Sequence, residues 1–200
     1  MRALMISIKM TIVLTVLLGV IYPLAMTGLA MAIFPHQAKG SLVTRDDKVV
    51  GSELIGQTFA APNYFHSRPS AAGDKGYDAS NSSGSNLGPT NKTLVSTVQQ
   101  RVKDIVEANP GTSADQVPID LVTTSGSGLD PEISPAAADF QVARVAKARG
   151  IGEEEVRLIV SQNTRGRYLG LLGEPGVNVL MLNLALDRLS PPKSTARADK

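Results

Sequence analysis

The sequence predicts a mixed α/β protein in which a single apolar helix, long enough to span a membrane, precedes one domain of short strands and amphipathic helices. Three observations carry this reading. No charged side chain lies between Lys9 and Lys39, and nearly every position in residues 10–34 is apolar, glycine, threonine or alanine. Beyond that run, apolar residues recur at helical spacing in several blocks. Short β-prone runs bounded by Gly, Pro and Asp alternate with those blocks, as in a mixed α/β domain.

At about 1.5 Å per residue the apolar run can cross a hydrocarbon core of roughly 30 Å. Arg2 and Lys9 precede it and no acidic residue occurs before Asp46, which marks the short N-terminal flank as the cytoplasmic side. Lys39 and Arg45 follow the run, but they stand beside a domain long enough to be translocated whatever its few charges. Ala30-Met31-Ala32 resembles a processing site, the mark of a cleaved signal. A signal h-region runs about 7–15 residues, however, and the greater length here favours a retained anchor. Pro23 removes a backbone hydrogen bond inside the run and predicts a bend, best tolerated beside a neighbouring helix. Gly19, Ala25, Gly28 and Ala32 would let such a helix approach closely. The expected organisation is a cytoplasmic flank at 1–9, a transmembrane helix at 10–35, an extracytoplasmic α/β domain at 36–190 and a disordered tail at 191–200.

All eighteen Asp and Glu lie beyond the run together with eighteen of the twenty Lys and Arg, so the exported part is formally neutral and the net charge of +2 comes from the flank. A nucleic-acid partner gains no support, because such domains carry a clustered basic excess. The absence of cysteine removes disulfides, thiolate metal sites and a cysteine nucleophile together. With no Trp and only 4 Phe and 4 Tyr, the core must be built from Val, Leu, Ile and Ala, which predicts light packing and modest stability.

Leu42-Val43-Thr44 and Lys48-Val49-Val50 flank Arg45-Asp46-Asp47 and predict a short hairpin with a polar turn. Residues 62–90 are rich in Gly, Ser, Asn, Asp and Pro and show no apolar period. Composition alone leaves this stretch open between a disordered linker and an ordered irregular loop. Tyr64, Phe65, Tyr77 and Leu87, interspersed in it, fit the ordered reading, as does the rarity of long structureless loops without a function.

Leu94, Val95, Val98, Val102, Ile105 and Val106 share one face of a helix, which Asn109-Pro110-Gly111 ends. Ile119, Leu121 and Val122 form a strand candidate, and Ser125-Gly126-Ser127-Gly128 a flexible turn. Ser134 before Pro135 predicts an N-cap with proline in the first helical position, in a helix ending at Gly150. Gly152 with Glu153, Glu154 and Glu155 opens another, its carboxylates at the positive end of the helix dipole and its buried stripe supplied by Val156, Ile159 and Val160. Residues 177–186 read as a buried strand.

No common catalytic constellation is legible. Only His36 and His66 exist, and neither sits in a helical pair suited to zinc. His66 near Asp74 and Asp78, with Ser70 or Ser82 as nucleophile, would need a strand–turn–helix elbow, and the G-x-S-x-G spacing does not occur. Gly88 stands apart from Lys92-Thr93, so the phosphate-loop spacing is missing too. Arg167 between Gly166 and Gly170 fits a structural arginine better than an anion site. What remains is an anchored extracytoplasmic domain with an accessory or binding role.

Longer blocks carry a resemblance. Tyr64-Phe65-His66-Ser67-Arg68-Pro69-Ser70, Tyr77-Asp78-Ala79, Ser83-Gly84-Ser85-Asn86-Leu87-Gly88-Pro89-Thr90-Asn91, the stretch from Ser125 through Leu129-Asp130-Pro131-Glu132-Ile133 to Pro135, and Val177-Asn178-Val179-Leu180-x-Leu182-Asn183 together resemble the C-subunit family of the bacterial Kdp potassium-transporting ATPases. The likeness runs from the anchor to about Leu189. It implies a non-catalytic subunit of an inner-membrane, ATP-driven potassium importer. The implied partners are a channel-like potassium-translocating subunit, a P-type ATPase catalytic subunit and a small membrane peptide subunit. The family is credited with stabilising the complex and with acting as a catalytic chaperone that raises the ATPase subunit's affinity for ATP, so ATP enters through that partner. Direct nucleotide contact would touch residues 161–170, with Gln162, Arg165 and Arg167 as the candidates, yet the charge flanks put these on the side away from cytoplasmic ATP. The segment from Tyr64 to Asn91 is the expected partner surface, through Tyr64, Phe65, Arg68, Pro69, Asn86 and Asn91, since aromatic residues and arginine are suited to interface anchors. The competing readings are an independent membrane-anchored module for an envelope ligand and, with least support, an envelope hydrolase.

Overall fold

The computed structural model describes residues 1–190, and the disordered tail expected at 191–200 lies outside the described residues. The chain forms two compact units, residues 1–52 and the chain from Glu53 onward.

In the first unit one continuous helix runs 32 residues from Arg2 to Ile33, with none of its apolar window buried. It is roughly 48 Å long at 1.5 Å per residue, longer than a hydrocarbon core. The helix comprises α1 (Arg2–Val16), a π-helical turn (Leu17–Ile21) and α2 (Tyr22–Ile33). Pro23 has no N–H to offer the carbonyl of Gly19, and its ring crowds that carbonyl. The wider π turn includes Gly19 and absorbs the misfit without ending the helix. Thr27 then donates its hydroxyl to the Pro23 carbonyl at 2.8 Å. A single turn, α3 (Pro35–Ala38), leads to β1 (Leu42–Arg45) and β2 (Lys48–Ser52), which pair antiparallel. Asp46 and Asp47 take φ of 51° and 60°, the left-handed pair that a two-residue hairpin turn requires. The expected hairpin is thus present, and it groups with the apolar helix rather than with the larger unit.

The second unit begins with a long irregular segment, residues 53–91, followed by α4 (Lys92–Ala108) and 3₁₀ turns at Ala114–Gln116 and Ile119–Leu121. Then come β3 (Glu132–Ile133), α5 (Pro135–Arg149), α6 (Glu153–Gln162), β4 (Thr164–Arg165), β5 (Gly176–Asn178) and α7 (Val179–Leu189). The small sheet has the order β3-β5-β4 and is antiparallel throughout, with Val177 opposite both Ile133 and Thr164.

Capping explains the helix starts. The Asn91 side chain accepts from the Thr93 and Leu94 N–H groups at the head of α4. Ser134 accepts from the Ala137 N–H at 3.0 Å, and the Asp120 carboxylate accepts from the Ser134 N–H at 2.7 Å, pinning the start of α5 from outside. Gly150 ends α5 at φ 71°, a left-handed cap that glycine adopts without a Cβ penalty. Two expectations fail. Ile119 to Val122 form a 3₁₀ turn, not a strand, because Pro118 at its N-cap starts a tight turn that the Leu121 and Val122 N–H groups close. Residues 177–186 are not one strand: pairing stops at Asn178, whose side chain accepts from the Met181 N–H at 3.1 Å and starts α7. From there Val179, Leu182, Asn183 and Leu186 fall on one buried helical face.

The core joins Val142, Val145 and Ala146 of α5, Val156, Ile159 and Val160 of α6, Leu182 and Leu186 of α7, and Val177 of β5. Phe65, from the irregular segment, is fully buried among them. No residue of α4 is fully buried, and Val95 on its apolar stripe is 44% exposed.

Candidate functional site

The irregular segment is held by side chains, not by strand pairing. Asn183 of α7 accepts the Phe65 N–H at 2.9 Å and donates to the Phe65 carbonyl at 3.0 Å. Gln141 of α5 does the same for His66, accepting its N–H at 2.8 Å and donating to its carbonyl at 3.2 Å. Two amide side chains therefore act as a surrogate neighbouring strand.

Arginines complete the scaffold. Arg144 donates to the Pro62 and Tyr64 carbonyls, to Asn109 Oδ1 at 3.0 Å and to Gln141 Oε1 at 2.7 Å. It is 8% exposed, and burial alone lowers its pKa to about 10, which keeps it charged at neutral pH. Arg149 donates to the Asn63 carbonyl at 2.7 Å and to Asp187 Oδ1 at 2.9 Å, with its guanidinium 4.9 Å from the centre of the Tyr64 ring. The Tyr64 hydroxyl donates to the other Asp187 oxygen at 3.1 Å. Burial, and then the Asp187 carboxylate, push the Tyr64 phenol above its ordinary value. From Pro62 to His66, every backbone carbonyl is thus met by a side chain from α5 or α7.

The next residues are tied to the turn at 125–130. Arg68 forms an ion pair with Asp130 at 2.9 Å. The Ser70 hydroxyl donates to the Gly128 carbonyl at 2.6 Å and accepts from the Ala72 and Tyr77 N–H groups. Gly128 has φ 68°, and a Cβ there would meet the backbone of Ser83 and Ala72. Only glycine combines that conformation with so close an approach.

Each expected site residue now has a position. Tyr64, Arg68 and Pro69 are half-buried, and Asn86 and Asn91 are exposed. Phe65 needs correction as a surface anchor: it is 0% exposed and belongs to the core, so its side chain has no area to present to a partner. Gln162, Arg165 and Arg167 are exposed, at and beyond the end of α6. Arg165 pairs with Glu132 and Arg167 with Glu174, each at 2.9 Å. The residues of the hydrolase reading are otherwise engaged: Ser70 as above, Ser82 donating to the Ser127 carbonyl at 2.9 Å, and His66 Nε2 lying 3.2 Å from the Ala61 carbonyl.

Beside the segment lies an open cleft of about 460 Å³, whose lining includes Phe59, His66, Lys75, Tyr77, Arg101 and Asp104. Burial, and secondarily the charge of Arg144, hold the His66 imidazole below its ordinary pKa and hence neutral at pH 7. Among the described residues no group of three or more His, Cys, Asp or Glu side chains is placed to hold a metal ion.

Sequence reasoning missed Gln141, Arg144, Arg149, Asn183 and Asp187. The signal was present: Gln141, Arg144, Asn183 and Asp187 sit among Ala137, Ala138, Val142, Val145, Leu182 and Leu186 on otherwise apolar buried faces. A polar residue on such a stripe needs a partner.

These features define a class: a protein with one helix suited to a membrane and an α/β unit in which an irregular, side-chain-tethered segment replaces a larger sheet. Comparison with known proteins narrows it. The family model described as "K+-transporting ATPase, c chain" matches residues 4–188, and the chain belongs to that family. It is 54% identical over 185 residues to the potassium-transporting ATPase KdpC subunit of Koribacter versatilis (strain Ellin345), covering 92% of this chain and 94% of the relative. The protein of that name from Gemmatimonas aurantiaca is 55% identical over 192 residues, covering 96% of each chain. That from Sorangium cellulosum (strain So ce56) is 58% identical over 181 residues, 90% of this chain and 95% of the relative.

Proposed function

We propose that this chain is a non-catalytic accessory subunit of an ATP-driven potassium import complex of the cell inner membrane. Family membership over residues 4–188, anchor included, carries the reading. The N-terminal helix crosses the bilayer with its basic flank in the cytoplasm, and residues 36–190 stand outside it. Catalysis belongs to a P-type ATPase subunit. The other partners are a channel-like potassium-translocating subunit, whose outer mouth this domain caps, and a small membrane peptide. Tyr64, Arg68, Pro69, Asn86 and Asn91 supply the partner surface, with Phe65 bracing it from the core.

Within the complex the chain stabilises assembly and acts as a catalytic chaperone, raising the ATPase subunit's affinity for ATP. It does so at a distance, by binding one transport state better than another, because coupling between two sites is reciprocal. The ion pairs of Arg165 and Arg167 with Glu132 and Glu174 fit this better than direct nucleotide contact at Gln162, Arg165 and Arg167.

Detergent extraction of the tagged full chain, followed by identification of co-purifying proteins, tests the reading. A P-type ATPase in the eluate is the expected result. A chain that purifies alone and binds a small envelope ligand in the 460 Å³ cleft would instead establish the second reading, an independent membrane-anchored binding module.

A further inference from the structure

One face of α4, through Arg101, Asp104 and Ile105, and the irregular segment, through Arg68 and Lys75, line the open cleft. Its volume of about 460 Å³ falls within the range of small-molecule sites, about 300–1,000 Å³. Phe59, Ile105 and Leu121 give the lining an apolar part. Sites of this size are mostly apolar with a few placed polar groups, and those groups decide which ligand is taken.

The charges along the lining do not cancel. Arg68 is matched by Asp130 at 2.9 Å, and elsewhere in the domain Arg149, Arg157, Arg165 and Arg167 each have a carboxylate partner. Arg101 differs. It is half-buried and donates to the Val122 carbonyl at 3.0 Å, and among the described residues no carboxylate pairs with it. Asp104, one helical turn further on, is the only carboxylate of the lining, and it accepts from Gln100 at 2.8 Å instead. Burial alone lowers the Arg101 pKa, as expected of a guanidinium drawn out of water with no anion beside it. Lys75 is exposed and has no partner among the described residues. Set against Asp104, Arg101 and Lys75 leave the cleft one positive charge in excess. A single excess charge suits a monoanion better than a dianion such as phosphate, the planar fork of arginine matches a carboxylate, and the apolar lining asks for a carbon skeleton.

We infer that the cleft is a binding site for a small organic monocarboxylate, its carboxylate held by Arg101 and Lys75 and its apolar body set against Phe59, Ile105 and Leu121. The inference goes beyond the accessory role and does not depend on it. The Val122 carbonyl steadies Arg101 through Nη1, which leaves the other N–H groups of the guanidinium for the ligand.

Benzoate and isovalerate, titrated into the isotope-labelled full chain in detergent, test the site by amide NMR. Each should give saturable shifts at residues 66–77 and 101–109. Benzamide, which keeps the ring without the charge, and inorganic phosphate, which lacks the apolar body, should each bind at least about tenfold more weakly than benzoate. Arg101→Gln should weaken benzoate by about tenfold, the loss expected of a charge-assisted hydrogen bond. Lys75→Gln, an exposed change that leaves the fold intact, should weaken it by about threefold. No saturable shift in those residues with either carboxylate at millimolar concentration overturns the site. Equal binding of benzamide or phosphate overturns it as well, and so does unchanged affinity in either folded variant. If the site fails while the chain still retrieves a P-type ATPase, the accessory role stands. Carboxylate binding by a chain that retrieves no pump subunit leaves the site standing and removes the accessory role.

Discussion

Asn183 and Phe65, 118 positions apart in the chain, are joined through both backbone groups of Phe65, its N–H to Oδ1 at 2.9 Å and its carbonyl from Nδ2 at 3.0 Å. Both residues are nearly or fully buried, so no water substitutes for either bond. One amide side chain thereby fastens an irregular segment to α7 where a strand would otherwise be required.

Asn183→Ala should therefore cost more than its size suggests. It leaves a buried N–H and a buried carbonyl unpaired, a loss of about 3 kcal/mol. Urea unfolding of the purified variant checks this, and a midpoint equal to wild type would refute the surrogate-strand role. Asn183→Asp keeps the shape but cannot donate to the Phe65 carbonyl and brings a buried charge, so it should be no better than alanine.

Arg144 makes the same test on α5. Replacement by methionine, which keeps much of the stem volume, strips donors from the Pro62 and Tyr64 carbonyls and from the Asn109 and Gln141 oxygens. The expected loss is about 3 kcal/mol, with faster amide exchange across residues 62–66. Exchange unchanged in that window would show that the segment is held by packing alone.

His66 gives the domain a pH dependence of definite sign. Its folded-state pKa lies below the ordinary 6.5, so the unfolded chain takes up more protons there. This contribution is fully present above pH 6.5 and is lost as pH falls through the folded-state value. The thermal midpoint should drop on acidification from neutrality, and His66→Gln should flatten the part of the curve nearest 6.5. A wild-type curve that rises on acidification in that window would contradict the neutral, half-buried imidazole.

Gly128→Ala should destabilise by about 2 kcal/mol or more, because φ 68° strains any side chain and the added methyl meets the backbone of Ser83 and Ala72. Gly126→Ala, with open space around it, is the matched control. Equal melting of the two variants would mean that the turn shifts freely.

Arg167→Gln and Arg165→Gln should leave folding stability unchanged, since exposed ion pairs contribute little. If ATP affinity is raised at a distance, neither variant should alter the pump's KM for ATP. A several-fold rise in KM for either, with assembly intact, would favour direct nucleotide contact.

Much of this architecture was legible before the fold. Residues 10–34 could only be an apolar helix, because no charge interrupts them. Ser134 before Pro135, and Gly150, set the ends of α5 through local capping chemistry. Local signals misled at residues 177–186, where an apolar run suits a strand and a buried helix equally, and only the Asn178 cap and the facing α5 and α6 decide between them. Within the candidate site, Tyr64 and Arg68 drew attention as residue types, but Phe65 could not be recognised as core from a stretch without periodicity.

The chain by itself determined the long apolar helix, the hairpin turn at Asp46-Asp47 and the starts of α4, α5 and α6, because each depends on residues within a few positions of one another. Tertiary structure alone decided that residues 62–66 would be ordered, since Gln141, Arg144, Arg149 and Asn183 reach them from helices far along the sequence. It also decided that Phe65 faces inward while Leu171 faces out. Both are large and apolar, and what separates them is whether α5 and α7 close over the side chain.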